Sequence, residues 1–356
     1  MRLADADRSN DLRVAVVGLG WVGTHRHLPW LRRTRGVRLV GVIDHSTGRV
    51  ERALARFGPV KSAVAEGPEG VPWLSEVDAV SIATPPATHH PLARAYLMAG
   101  KDVLLEKPMS LTVDDASELV EVAEKSGRML AVVHNFQFAR SVVRLRRMIA
   151  EGRLGVVRAV WGAQLSNPQR RLPEWYETLP LGLFFDESPH FFYLVRSVVG
   201  TEPELELAHL VPSRTGGHTP AAIALVMRAG DVPVQISMNF EAPVSEWHLT
   251  VLGSRGLAVV DVFRDVLVFV PNDREHLARH ILTTSASAVS SHLVGVAGSG
   301  IRLALGRLAY GNDIVMERFA EACRTRIPPK GISARDGLEV VRLQCAVLDR
   351  VHAPAP

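Results

Sequence analysis

The sequence predicts an α/β domain built on a doubly wound parallel sheet, followed by an α+β domain with a mainly antiparallel, open sheet. Three observations predict it. Short apolar, β-branched runs alternate with helix-period segments as far as about residue 137. A glycine-rich turn lies directly behind the first of those runs. Beyond residue 137, strand-like runs follow one another across short turns that carry Gly or Asp.

The elements follow in order. Arg13-Val-Ala-Val-Val17 is a first strand, and helical spacing then runs to about Arg33. Residues 38–44 form a second strand that ends in Asp44, with a polar helix over 46–57. Strands at 77–83, 102–105 and 129–133, with helices at 88–99 and 112–126, complete the alternation. Each such unit should cross over right-handed onto a sheet covered on both faces. After a helix over 138–151 come strands at 156–165, 204–211, 221–229, 233–240, 247–253, 257–261 and 266–270, and helices close the chain at 310–325 and 334–351. Residues 281–310, rich in Ala, Ser, Gly and Leu, receive no assignment. The domains expected are a flexible tail over 1–11, a dinucleotide-binding domain over 12–137, and a substrate-binding and oligomerisation domain over 138–356.

Composition narrows the function classes. With 47% hydrophobic and 22% charged residues in a chain of 356, disorder and fibrous repeats are excluded and about two domains fit. The net charge of +4 comes from 41 basic and 37 acidic residues without a basic stripe, so no nucleic-acid partner is expected. No run of 18 apolar residues and no apolar leader is present, so a cytoplasmic protein without a membrane partner is expected. Two cysteines, Cys323 and Cys345, support neither a disulfide framework nor a metal site, and no metal is expected.

Gly18-Leu-Gly20-Trp21-Val22-Gly23 fits G-x-G-x-x-G between a strand and a helix, the setting in which backbone N–H groups hold a pyrophosphate. Asp44, 26 residues beyond Gly18, ends the second strand, where a carboxylate accepts the ribose hydroxyls of NAD and repels the 2′-phosphate of NADP. NAD is therefore expected over NADP, with His45 beside the ribose. Three further segments carry chemistry. Thr84-Pro85-Pro-Ala-Thr-His89-His90 follows the third strand and Glu106-Lys107-Pro108 the fourth, both at the sheet edge where such folds bind ligands. In Asp186-Glu187-Ser-Pro-His190 the Asp and His are four apart, on one face of a helix start. An imidazole there can take a hydroxyl proton while a carboxylate orients it.

Taken together, Gly18-x-Gly20-x-x-Gly23, Asp44, Thr84-Pro-Pro-x-x-x-His90, Glu106-Lys107-Pro108, Asn135 and Asp186-x-x-x-His190 resemble the glucose-fructose oxidoreductase/inositol dehydrogenase/MocA (Gfo/Idh/MocA) family over nearly the whole chain. The resemblance implies an N-terminal Rossmann domain, a C-terminal open-sheet domain, and dimers or tetramers through that sheet. It implies hydride transfer between a nicotinamide and a secondary alcohol of a sugar or cyclitol. Lys107 would polarise the reacting oxygen, His190 act as general acid/base, and Asp186 support it. Gly18, Gly20, Trp21, Val22, Gly23, Asp44, His45, Thr84, Pro85, His89, Glu106, Lys107, Pro108 and Asn135 would border the cofactor. Three positions depart from the family pattern: Gln137 stands where many relatives carry Arg, Ser188 where Gly is usual, and Tyr193 where a second Asp often follows.

The substrate would meet Lys107, Gln137, Trp175, Tyr176, Asp186, Glu187 and His190. Glu174, Glu177, Asp186 and Glu187 fall between Pro173 and His190 with no Lys or Arg among them, which favours an amino sugar or aminocyclitol over an acidic sugar or a nucleotide sugar; the alternative is a solvated loop whose field Arg170-Arg171, just upstream, cancels. Two alternatives stand beside a dehydrogenase. One is redox-neutral glycoside cleavage or elimination through a transient keto sugar; the other is a non-catalytic NAD-binding sensor or partner protein.

Overall fold

The computed structural model describes residues 11–352, so the tail expected over 1–11 lies, except for Asp11, outside the described residues. The chain divides into two compact units, residues up to His134 with Asn312–Val341, and Asn135–Gly311 with the residues from Arg342.

In the first unit β1 (Leu12–Val17), β2 (Val37–Asp44), β3 (Lys61–Val64), β4 (Ala79–Ile82), β5 (Asp102–Leu105) and β6 (Leu130–Val132) form one parallel sheet in the order β3-β2-β1-β4-β5-β6. All of β4 and β5, and all of β1 except Arg13, is buried, as strands covered on both faces must be. β3 has no counterpart among the predicted strands. Helices α1 (Leu28–Leu31), α2 (Thr47–Phe57), α3 (His89–Met98) and α4 (Val113–Ser126) lie between the strands. The end signals of α4 are local. Thr112 Oγ1 accepts the Asp115 N–H at 3.1 Å, Asp114 and Asp115 sit in the first turn, and Gly127 closes the helix at φ 63°. The single helix expected from the glycine turn to Arg33 is instead a π-helical segment, Gly23–His27, leading into α1.

In the second unit α5 (Arg140–Ala150) precedes a seven-stranded sheet. Its strands are β7 (Val157–Leu165), β8 (Glu204–Val211), β9 (Ala222–Ala229), β10 (Val232–Asn239), β11 (Glu246–Gly253), β12 (Gly256–Asp261) and β13 (Val266–Pro271), ordered β13-β12-β11-β7-β10-β9-β8. The sheet is mixed: β7 and β10 pair in parallel and the other pairings are antiparallel. Helix α6 (Leu183–Val199) is buried almost throughout and packs on one face. Phe184, Phe185, Phe191 and Phe192 are at most 1% exposed, and truncating one such ring typically costs about 3–5 kcal/mol. Close approach requires Gly162 in β7, because a Cβ there would stand 2.7 Å from the Phe191 ring. The opposite face leaves Trp161 and Leu165 exposed. Residues 278–304, unassigned from sequence, form one long helix, α7 (Ala278–Ala304), against β13.

Helices α8 (Asn312–Thr325) and α9 (Ala334–His352) close the chain. Residues 312–341, expected in the second domain, belong to the first unit. Helix α8 packs on α1 and β1, Ile332 O accepts from Val132 N–H at 2.8 Å, and Arg326 pairs with the buried Asp102 at 2.7 Å. Long-range contacts of this kind leave no local signal. Among the described residues no helix is long and apolar enough to cross a membrane.

Candidate active site

The strand order of the first sheet reverses between β1 and β4, and the loops leaving their carboxyl ends meet there. Gly18, at φ 92°, would place a Cβ 2.7 Å from Ala83 O and from Thr84 Cγ2. A Cβ on Gly23 would lie 2.0 Å from Gly18 O, whereas one on Gly20 would meet nothing within 4 Å. The first and third glycines are thus required by the protein's own packing. The second opens the turn outward, where a pyrophosphate would come against the backbone N–H groups.

Asp44 is 4% exposed and accepts from Leu19 N–H at 2.7 Å and Ser46 N–H at 2.9 Å, tying the end of β2 to the glycine turn. Each carboxylate oxygen keeps a second lone pair for a ribose hydroxyl. His45 Nε2 and Arg49 Nη1 lie 3.7 and 3.8 Å from this carboxylate. Trp21 is exposed, stacked on His25 and covered by the Arg26 guanidinium. The residues present fit a dinucleotide.

The Glu106-Lys107-Pro108 turn at the end of β5 is fastened from below by a residue sequence reasoning missed. The π-helical turn delivers His27, fully buried, between Ser81 (2.7 Å from Nδ1) and Glu106 (2.9 Å from Nε2). A neutral imidazole satisfies both, accepting from the serine hydroxyl and donating to the carboxylate. The other oxygen of Glu106 accepts the Lys107 N–H at 3.1 Å. Burial pushes the Glu106 carboxyl upward, yet the His27 hydrogen bond and the charge of Lys107 outweigh it and hold the group below the usual glutamate range. The Lys107–Pro108 peptide is cis.

His89 is placed differently from expectation. Anticipated at the cofactor, it is fully buried, with Nδ1 2.6 Å from Pro108 O and Nε2 2.9 Å from Thr84 O. It joins the Thr84 loop to the Lys107 turn. Burial lowers its pKa more than the two carbonyls raise it.

In the second unit, α6 carries Asp186 and His190 on one face, as their spacing predicted. Pro189 has no N–H for the carbonyl of Phe185, and the Gln344 side chain donates to that oxygen at 2.6 Å instead. His190 is 8% exposed within aromatic walls, its ring 4.6 Å from Phe136 and 5.2 Å from Trp247. Tyr193 Oη lies 2.6 Å from His190 Nδ1, accepts the Phe136 N–H at 3.1 Å, and stands 3.5 Å from Asn135 Oδ1. With the Tyr193 hydroxyl donating to Asn135 Oδ1, Nδ1–H of His190 donates to Tyr193 Oη, and the imidazole lone pair lies on Nε2. Asn135, expected beside the cofactor, also donates to Tyr310 O at 3.0 Å.

Glu187 does not offer the open carboxylate that an ammonium-bearing substrate would need. It is 6% exposed and held by Arg170 and Gln164. Glu177 accepts from His218 N–H at 2.8 Å and Thr219 Oγ at 3.0 Å. Trp175 and Tyr176 sit half-buried on a short 3₁₀ turn, Glu174–Thr178, and Gln137 is buried with its carbonyl accepting from Arg146 at 2.9 Å. No group of three His, Cys, Asp or Glu that could hold a metal occurs among the described residues.

A doubly wound sheet with an outward-opening glycine turn and a strand-end carboxylate, followed by an open-sheet unit that encloses an imidazole, defines a dinucleotide-binding oxidoreductase class. Residues 12–134 match the sequence model described as "Oxidoreductase family, NAD-binding Rossmann fold", and residues 142–259 match the Gfo/Idh/MocA C-terminal domain; the chain belongs to the Gfo/Idh/MocA family. It is 32% identical over 210 residues to the uncharacterized oxidoreductase YdgJ of Escherichia coli K12, covering 57% of this chain and 59% of that one. It is 28% identical over 324 residues to dTDP-3,4-didehydro-2,6-dideoxy-alpha-D-glucose 3-reductase of Streptomyces violaceoruber, covering 87% and 93%. Among solved structures it resembles GenD2 from gentamicin A biosynthesis, in complex with NAD, with a TM-score of 0.75 at 20% identity, over 98% of this chain and 95% of that one.

Proposed function

We propose that the protein is an NAD-dependent dehydrogenase or reductase acting on a secondary alcohol of a sugar or cyclitol. The observation that carries this reading is His190, held by a tyrosine hydroxyl at Nδ1 within aromatic walls and one helical turn beyond Asp186. A sensor has no use for an imidazole fixed in this way, whereas a general acid/base requires it. The nucleotide-sugar name of the Streptomyces relative, matched along most of both chains, supports a sugar-like substrate.

NAD, when bound, supplies the hydride acceptor or donor. In the oxidative direction His190 would take the proton of the substrate hydroxyl as the ketone forms, and in the reductive direction it would return it. Lys107 donates a hydrogen bond to the substrate oxygen, which favours the developing negative charge. Trp175 and Tyr176 offer faces for the apolar side of a ring, and Asp186 accepts from hydroxyls or orients the imidazole. With Glu187 and Glu177 engaged internally, an amino group on the substrate would rest on Glu174 and Asp186. In this reading the protein works in the cytoplasm as a homo-oligomer, with the open sheet face around Trp161 and Leu165 as the subunit contact.

The test is the turnover of Lys107→Ala and His190→Ala beside NAD binding by calorimetry. Turnover should fall by about 10²-fold or more in each while NAD affinity stays within a few-fold. Full turnover in either variant removes that residue from the chemistry.

A further inference from the structure

Two buried histidines bracket the Lys107 turn, His89 through Pro108 O and His27 through the Glu106 carboxylate. The second arm is built from polar groups that the parallel sheet does not need. Ser81 is the polar residue of the buried strand Ala79-Val-Ser-Ile82, and both it and His27 are fully buried. Taking a hydroxyl, an imidazole and a carboxylate out of water is unfavourable unless their mutual hydrogen bonds offset it. Apolar side chains of similar volume often fill such a space with no loss of stability. Stability alone therefore does not account for this row of polar groups beneath the turn.

The local backbone completes the row. Leu28 N–H donates to Gly23 O, the wider i→i+5 register of a π-helix. That register sets His27 against the sheet, whereas His25, two residues earlier, is exposed beside Trp21 and Arg56. On the sheet side, Glu106 N–H donates to Ile82 O at 3.0 Å, which fixes Glu106 by its backbone at the end of β5. The next N–H, that of Lys107, turns back to Glu106 Oε2 at 3.1 Å, while Oε1 meets His27 Nε2 at 2.9 Å. The two contacts together set the plane of the carboxylate. Without His27, Oε1 would lose its donor inside the protein. The carboxyl would then swing toward water or take up a proton, and either change slackens its hold on the Lys107 N–H.

We propose that His27 is a positioning residue for the reaction: acting through the Glu106 carboxylate, it fixes the turn that aims Lys107 at the substrate oxygen. The role of Lys107 rests on the dehydrogenase reading; the hydrogen-bonded row does not. The test uses the full chain with three substitutions. His27→Phe keeps a planar ring and removes both hydrogen bonds. In His27→Gln the carboxamide nitrogen reaches the depth of Nε2 and still donates to Glu106, whereas in His27→Asn it reaches only the depth of Nδ1, at Ser81. Each protein is read twice. One readout is exchange of the Lys107 amide hydrogen, followed by mass spectrometry. The other is kcat and KM for NAD with the ring alcohol that the wild type oxidises from a panel of sugars and cyclitols.

In His27→Phe and His27→Asn the Lys107 amide should exchange about tenfold faster and kcat should fall about tenfold or more. KM for NAD should stay within a few-fold, and exchange in β4 and β5 should not change. His27→Gln should recover most of both losses, and it decides the matter against His27→Asn even where His27→Phe fails to fold. Three results would overturn the proposal: wild-type exchange and kcat in a folded His27→Phe, equal losses in His27→Gln and His27→Asn, or faster exchange throughout β4 and β5. The last would leave His27 a part of the core alone. A wild type that binds NAD and oxidises no alcohol of the panel would refute the dehydrogenase reading, and the exchange pattern would then decide by itself whether His27 holds the turn.

Discussion

The hydroxyl of Tyr193 lies 2.6 Å from Nδ1 of His190, one turn along the same helix. The family pattern often has a second Asp at this position, so a neutral hydroxyl here takes the place of an anionic carboxylate. Tyr193 is a positioning residue, acting through His190. Tyr193→Phe keeps the ring in its buried place and removes the hydrogen bond, so kcat should fall about tenfold while KM and NAD affinity change little. The pH profile of kcat should move as well. A variant with the wild-type kcat and profile would leave Tyr193 with packing alone.

Glu106 makes the Lys107 turn sensitive to acid. Its folded pKa is lower than the ordinary glutamate value of 4.5, so its stabilising contribution is complete above that pH and lost as pH falls through the folded value. Wild type should therefore melt above Glu106→Gln at neutral pH, and the gap should close as the pH drops below about 4.5. A gap that stays constant with pH would show that the charge of Glu106 contributes nothing to folding.

The glycines of the turn separate fold from ligand. Gly20→Ala meets no protein atom and should leave the melting temperature nearly unchanged while weakening NAD about tenfold or more. Gly23→Ala drives a methyl into Gly18 O and should cost about 1–3 kcal/mol by denaturant melts. Reversal of that pattern would contradict the placement of the pyrophosphate over Gly20.

Asp44→Ala removes the acceptor of two buried N–H groups as well as the proposed ribose contact. It should lower stability by about 1–3 kcal/mol, weaken NAD, and narrow the preference over NADP, with Arg49 left near a 2′-phosphate. Unaltered cofactor preference in a folded variant would take Asp44 out of cofactor choice.

The parallel sheet was legible because its central strands, such as Val14–Val17 and Ala79–Ile82, are continuous apolar runs bounded by turns. Lys61–Val64 escaped because an exposed edge strand buries only Ala63 and so shows no period. Residues 278–304 escaped because exposed leucine and valine are interspersed with exposed Thr283, Ser285, Ser290 and His292, so no single apolar face shows. In the site, Asp186 and His190 were legible as neighbours on one helix. His27 was not, since its partners Ser81 and Glu106 lie 54 and 79 residues away. Arg170 was legible as a nearby counter-charge to the acidic stretch, but that it closes on Glu187 in particular is set by the fold.

The central claim is that His190 exchanges a proton with a ring alcohol whose hydride goes to NAD. The measurement that meets it most directly is NADH formation by the purified protein against a panel of neutral sugars, inositols and amino sugars, run in parallel with His190→Ala. The account predicts a signal confined to one class of ring alcohol and reduced about 10²-fold or more in the variant. An equal signal from both proteins, or none from a wild type that binds NAD, would contradict it.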